Sequence, residues 1–240
     1  MRMAKVIFLL DLFERQGLDL AGKSLLDYGF GAGTLFRYCP PSARLYGVEL
    51  DPVCVQQVSS MLARRGVKDF DLQSLQIEQW SEHPLLARTY DVVICSHVLE
   101  HLTDPATFLI RMRSCLNETG NFVGLVPINE RVRDPHHEQE VTRDRLETWL
   151  LDSGLCCTAW VEGDPWLYRL QPWFTVSSGW RYRIAQAMSL GLGLAATGCG
   201  FRLWAKLSRV AGPCTGSRPT QAGFILRPVQ AKHSNQQGAA

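Results

Sequence analysis

Three glycines stand at alternate positions, Gly29, Gly31 and Gly33, directly after the short apolar run 25–28 with its embedded Asp27. Glycine at such positions lets the backbone take positive φ and lets a ligand come into contact with the main chain. Thr34, Leu35 and Phe36 can then open a helix, so the order is strand, glycine turn, helix, the first half of a nucleotide-binding α/β crossover. The spacing narrows the ligand. A dinucleotide fingerprint needs glycine at position 34, where Thr34 stands, and a Walker loop needs a Gly-Lys-Ser/Thr run that does not follow. A GxGxG turn preceded by an acidic residue suits a ligand with no pyrophosphate to seat. Downstream, the segment 46–51 reads as a second strand carrying Glu49, 18 residues after Gly31. That lies near the offset of about 20 residues at which an acidic side chain meets ribose hydroxyls.

Further segments follow in order. Residues 90–96 (YDVVICS) read as a fourth strand and run into 97–105, HVLEHLTDP. Residues 116–120 (LNETG) read as a turn before a fifth strand at 122–127. Together with the glycine turn and Glu49, these segments resemble the class I S-adenosylmethionine-dependent methyltransferases over roughly residues 18–160. The resemblance is closest to the branch with quinone-precursor and secondary-metabolite enzymes. It implies an α/β fold: a Rossmann-like, seven-stranded, mostly parallel sheet with helices on both faces and a helical insertion before the last strand.

The resemblance also implies roles for particular residues. Gly29, Gly31 and Gly33 admit the methionine end of S-adenosylmethionine, Asp27 acts at its amino group, and Glu49 accepts from both ribose hydroxyls. Asp51 is expected to cap the following helix, with Pro52 at its first position. The adenine contact departs from the family pattern. An acidic residue usually follows the third strand, and here Gln76, Glu78 and Gln79 are the candidates, of which Glu78 is preferred. Ser96 and His97 are expected to line the cofactor or acceptor mouth, and His101 to anchor a helix by hydrogen bonding.

Methyl transfer is an in-line displacement at a sulfonium carbon, so the cofactor carries the chemistry and the protein aligns the acceptor. A hydroxyl acceptor gains from a base that titrates near neutral pH, typically histidine. His136 and His137 fall in the loop after the fifth strand, at the sheet edge where ligands bind in open α/β folds, and with His97 they are the catalytic candidates. No metal cluster and no Ser/His/Asp arrangement stands out. The expected reaction is methylation of a small-molecule acceptor, at oxygen. Two alternatives stay open: methylation of a lipid or lipid-linked glycan at a membrane surface, and a methyltransferase-like binding protein that has lost catalysis.

The elements that must hold these residues can be read from periodicity. Helices are expected over 4–16, 52–65, 105–116 and 142–153, the last with Thr142 as N-cap and Gly154 as stop. The first is amphipathic and placed to cover one edge of the nucleotide site. A sixth strand over 155–161 and a seventh over 223–229, inserted antiparallel beside it, complete the sheet. Thus 1–162 and 222–231 form the methyltransferase domain, 163–221 an apolar helical insertion, and 232–240 a polar, disordered tail. The insertion is rich in aromatic residues and includes 184–201, 18 residues without a charge and at the lower limit for spanning a bilayer. A cover packed on the sheet, a contact with a second copy in a homodimer, a peripheral membrane contact and a true span all fit it.

Composition excludes some classes. A net charge of +2 with dispersed basic residues gives no electrostatic footprint for nucleic acid. Eight scattered cysteines without a CxxC pair read as small buried hydrophobes in a reducing compartment. The apolar stretch 6–10 is interrupted by Asp11, Glu14 and Arg15 before a signal segment is complete. A cytoplasmic location is therefore expected, with peripheral membrane association as the variant tied to the insertion.

Overall fold

The run Ser24–Tyr28 forms β1, buried along its whole length because it lies in the middle of a sheet covered on both faces. In the computed structural model, which describes residues 2–76, 80, 82–130, 134–163 and 219–229, β1 is flanked by β2 (Arg44–Glu49) on one side and β4 (Tyr90–Ser96) on the other. With β3 (Phe70–Ser74), β5 (Leu116–Pro127), β6 (Leu155–Gly163) and β7 (Gln221–Pro228), the seven strands take the order β3-β2-β1-β4-β5-β7-β6. All pairings are parallel except those of β7, which runs antiparallel to both β5 and β6. The strand order turns back between β1 and β4, and it is outside the carboxyl ends of these two strands that such folds bind ligands.

Two apolar layers close the sheet. On one face α1 (Arg2–Arg15) and α2 (Pro52–Arg64) bring Leu9, Leu12, Val58 and Leu62 against Leu25, Ile94 and Ile225. On the other, α3 (Pro105–Ser114) and α4 (Arg143–Leu150) bring Phe108, Met112, Leu146 and Leu150 against Leu26, Val93 and Phe122. Capping fixes where the helices begin. Asp51 Oδ1 accepts from the Val53 amide at 2.9 Å with Pro52 following, as expected, and Asp104 and Thr142 act alike on Thr107 and Arg145.

The helix expected after the glycine turn does not form. Leu35–Arg37 make a single 3-10 turn and the chain goes directly to β2. Pro40 and Pro41 explain this. A proline ring disfavours the helical conformation of the residue before it, here Cys39, and the second proline lacks the amide that a continuing helix would use. Phe36 still fills the space, fully buried beside Phe30.

At the far edge, β6 and β7 run further than their periodicity indicated, to Gly163 and Gln221, which pair directly with each other. Gln221 also pairs with Pro127 at the carboxyl end of β5. The chain therefore leaves the sheet at Gly163 and returns at Gln221 from neighbouring points on the ligand-binding edge. The intervening 164–218, with the apolar stretch 184–201, lies outside the described residues, as does the tail. Among the described residues no helix is long and apolar enough to cross a membrane.

Candidate active site

A cleft of about 180 Å³ opens at the carboxyl end of β1, walled by Asp27, the glycine turn and Ser96 at the end of β4, and roofed by Lys5, Val6 and Leu9 of α1. The first helix thus covers the edge of the site, as its amphipathic pattern indicates. The turn needs its glycines. Gly29, Gly31 and Gly33 have φ of 76°, 53° and 60°, conformations that side chains with a Cβ resist. A Cβ on Gly29 would meet Val98 at 2.9 Å and one on Gly33 would meet Val58 at 2.5 Å, whereas the space around Gly31 is open to 4 Å. Gly29 and Gly33 let the turn pack closely. Gly31 leaves room for something else to come close.

Glu49 is bound into the same turn. Its Oε2 accepts from the Gly31 amide at 2.6 Å and its Oε1 from the Leu50 amide at 2.8 Å. A carboxylate thus stands at the end of β2, beside the open glycine, where a ribose would meet it. Asp27 is the second acidic group. Burial, and then the Glu49 charge, push its carboxyl up to about 7 from an ordinary value of 3.8. Asp27 in the cleft wall and Glu49 on the turn beside it suit a cationic ligand, and the methionine end of S-adenosylmethionine carries an ammonium and a sulfonium. The open Gly31, the two carboxylates and the apolar Val6 and Leu9 of the roof fit that cofactor. Glu78, taken for the adenine contact, lies outside the described residues.

Beyond Ser96 the chain turns sharply. His97 has φ of 57°, uncommon for a residue with a side chain, and its amide is held by the Leu125 carbonyl at 2.7 Å. Its Nδ1 lies 3.1 Å from Oε1 of Glu100, and its Nε2 lies 3.2 Å from the side-chain amide nitrogen of Gln221. Burial holds the imidazole below its ordinary range, against the opposing pull of Glu100, which favours the neutral form that can accept a proton.

The other two histidines separate. His136 is exposed and enters the site through its backbone, its carbonyl oxygen standing 3.0 Å from Nδ1 of His101. So His101 anchors the loop after β5 rather than a helix. His137 turns inward, with Nδ1 2.8 Å from Oε2 of Glu130 and its ring edge-on to that of His101 at 4.8 Å. Glu100, 1% exposed, was not singled out in the sequence. Its place in the LEHL segment, where a charged residue sits between leucines, was the available signal.

A family model described as "Methyltransferase domain" matches residues 4–162. The chain belongs to the methyltransferase-domain family. It is 33% identical over 118 residues to a ubiquinone biosynthesis O-methyltransferase of Marinobacter nauticus, a match covering 48% of each chain. The chain thus spans about half the length of the curated relatives it matches. Among solved structures it is similar to a SAM dependent methyltransferase from Aquifex aeolicus, with TM-score 0.54, 20% identity, and 64% of this chain and 82% of that one covered. It is similar also to the [4+2]-cyclase SpnF, with TM-score 0.61, 18% identity, and 93% and 82% covered. At these identities the structural matches speak for the fold, and a cyclase among them shows that this fold does not fix the reaction. S-adenosylmethionine is the cofactor of this methyltransferase domain. The methionine end would lie along the glycine turn near Asp27, and the ribose near Glu49.

Proposed function

We propose that the chain transfers the methyl group of S-adenosylmethionine to an oxygen of a small-molecule acceptor, with His97 as the base. The observation that carries this reading is the position of His97. It follows Ser96, which lines the cofactor cleft, and its imidazole is fixed between Glu100 and Gln221. An acceptor hydroxyl that takes the place of the Gln221 amide at Nε2 would give its proton to that nitrogen while its oxygen displaces the methyl group from sulfur. Holding the two reactants in line is the larger contribution, worth up to about 7–11 kcal/mol. Proton removal adds roughly 10²–10⁴-fold. The O-methyltransferase relative supports oxygen over nitrogen or carbon.

The test is incubation with methyl-labelled S-adenosylmethionine and a panel of phenols, carboxylic acids and amines. Label on a phenolic or carboxyl oxygen, lost in His97→Ala, is the expected result. Label on amines alone would overturn the assignment to oxygen.

A further inference from the structure

We propose that Glu100 is the positioning residue of the transfer step, acting through His97. Its carboxylate keeps the ring proton on Nδ1, leaves Nε2 as the nitrogen that takes a proton, and balances the charge that results. The inference rests on the reading of His97 as base and gives that base its partner. The His97 Nδ1 stands 3.1 Å from Oε1 of Glu100, with the two side chains 15% and 1% exposed. The backbone makes this contact. At φ of 57° His97 turns the chain after β4, its amide fixed on the Leu125 carbonyl, and Leu99–His101 follow as a 3-10 turn. The Glu100 carbonyl accepts from the Gln139 amide at 3.0 Å, which ties the other member of the pair to the loop after β5.

Two neighbours select the same tautomer. An ionised carboxylate only accepts, so the Nδ1 beside it carries the hydrogen. A side-chain amide nitrogen only donates, and that of Gln221 lies 3.2 Å from Nε2, so Nε2 presents its lone pair. Turning the Gln221 amide over would demand a proton on Nε2 and leave a bare Nδ1 against the carboxylate, so Glu100 decides the arrangement. What one ring nitrogen bonds sets which task the other can do.

The step creates a charge inside the protein. The acceptor O–H bond breaks with its proton passing to Nε2, and the oxygen bonds to the methyl carbon. The S–CH₃ bond gives its electron pair to sulfur, which leaves as a neutral thioether, and the ring becomes an imidazolium. Burial opposes that cation, and so do Lys5 of α1 and His137 of the loop after β5, whereas Glu100 supports it. A fixed carboxylate lowers the cost of the charge as it develops. Glutamine would serve equally well if Glu100 only filled space.

The experiment compares wild type with Glu100→Gln, which keeps the size and an accepting oxygen but removes the charge, and with Glu100→Asp, which keeps the charge. Long-range ¹H–¹⁵N spectra of the histidine-labelled full chain, with His97 assigned by its loss in His97→Gln, read the tautomer and the titration. Wild type at pH 8 should carry the proton on Nδ1. In Glu100→Gln the His97 midpoint should fall and the acid limb of kcat should move to lower pH. Its kcat should drop at least about tenfold, towards the roughly 10²–10⁴-fold lost with the base, while KM for S-adenosylmethionine stays within a factor of a few. Glu100→Asp should recover part of kcat. A wild-type ring protonated on Nε2, or an unchanged midpoint and kcat in Glu100→Gln, overturns the proposal. Full activity in Glu100→Gln beside an inactive His97→Gln overturns it and leaves His97 as base; full activity in His97→Gln overturns both.

Discussion

The amide of Gly31 donates to the Oε2 of Glu49 at 2.6 Å, so the residue proposed to meet the ribose also holds the turn proposed to admit the rest of the cofactor. Cofactor contact and loop shape are therefore not separable at this position. Glu49→Ala removes both. Losing a charge-assisted acceptor costs roughly 1.5–3 kcal/mol, which corresponds to roughly a ten- to hundredfold loss of affinity for S-adenosylmethionine. Calorimetry giving wild-type affinity in the variant would show that the ribose lies elsewhere.

Gly31→Val should abolish cofactor binding. The substitution puts a branched side chain at φ of 53° and fills the space that is open around Gly31. In the wild type, saturation at about 100 times the dissociation constant should add roughly 2.7 kcal/mol of stability, and a thermal-shift assay of both proteins reads this directly. A valine variant that is stabilised as much as wild type would remove the turn from the site.

Asp27 makes the affinity depend on pH. Its carboxyl titrates at about 7 in the free protein, against 3.8 ordinarily. A cationic methionine end favours the charged form, so binding releases a proton below that pH. Affinity should rise by up to about tenfold per pH unit on approaching pH 7 from below, and level off above it. The effect on the free fold has the opposite sign. A folded pKa raised above the unfolded one means that the folded state holds the extra proton, so stability falls as pH rises from about 4 to 7. Asp27→Asn should therefore melt higher than wild type at pH 8, with weaker and pH-independent cofactor binding. Equal melting temperatures at pH 8 would contradict the burial argument.

His97→Gln should lower kcat by roughly 10²–10⁴-fold while leaving S-adenosylmethionine binding within a factor of a few of wild type. The positive φ at this position adds a check. His97→Gly relieves the backbone but strips the buried Glu100 of its partner, so it should be as inactive as the glutamine variant without melting higher than wild type. Retained activity in either would pass the role of base to His137.

Much of this was legible in the chain. Helix starts at Asp51, Asp104 and Thr142, the span of β4 and the reversed seventh strand follow from local patterns, because caps, prolines and alternation act over a few residues. The glycine turn and Glu49 were legible for the same reason, being linked by the short spacing of two neighbouring parallel strands, β1 and β2. Two things were not. The missing helix after Gly33 was hidden because a permissive start at Thr34 outweighed the prolines a few residues on. The grouping of Glu100 and His101 with His137 depends on how the loop after β5 folds back over the end of β4. Only the packed sheet sets that relationship. Periodicity along the chain carries no trace of it.

The pairing of Gly163 with Gln221 has an evolutionary reading. An excursion whose two ends are already joined by a strand pair is nearly indifferent to its own length, since each doubling of a flexible loop adds only about 0.6 kcal/mol to the cost of closure. Such a segment can be exchanged, lengthened or rewritten while the methyl-donor half of the protein stays as it is. Gln221 sits at that junction with its side-chain amide nitrogen 3.2 Å from Nε2 of His97, which ties the end of the excursion to the histidine proposed as the base.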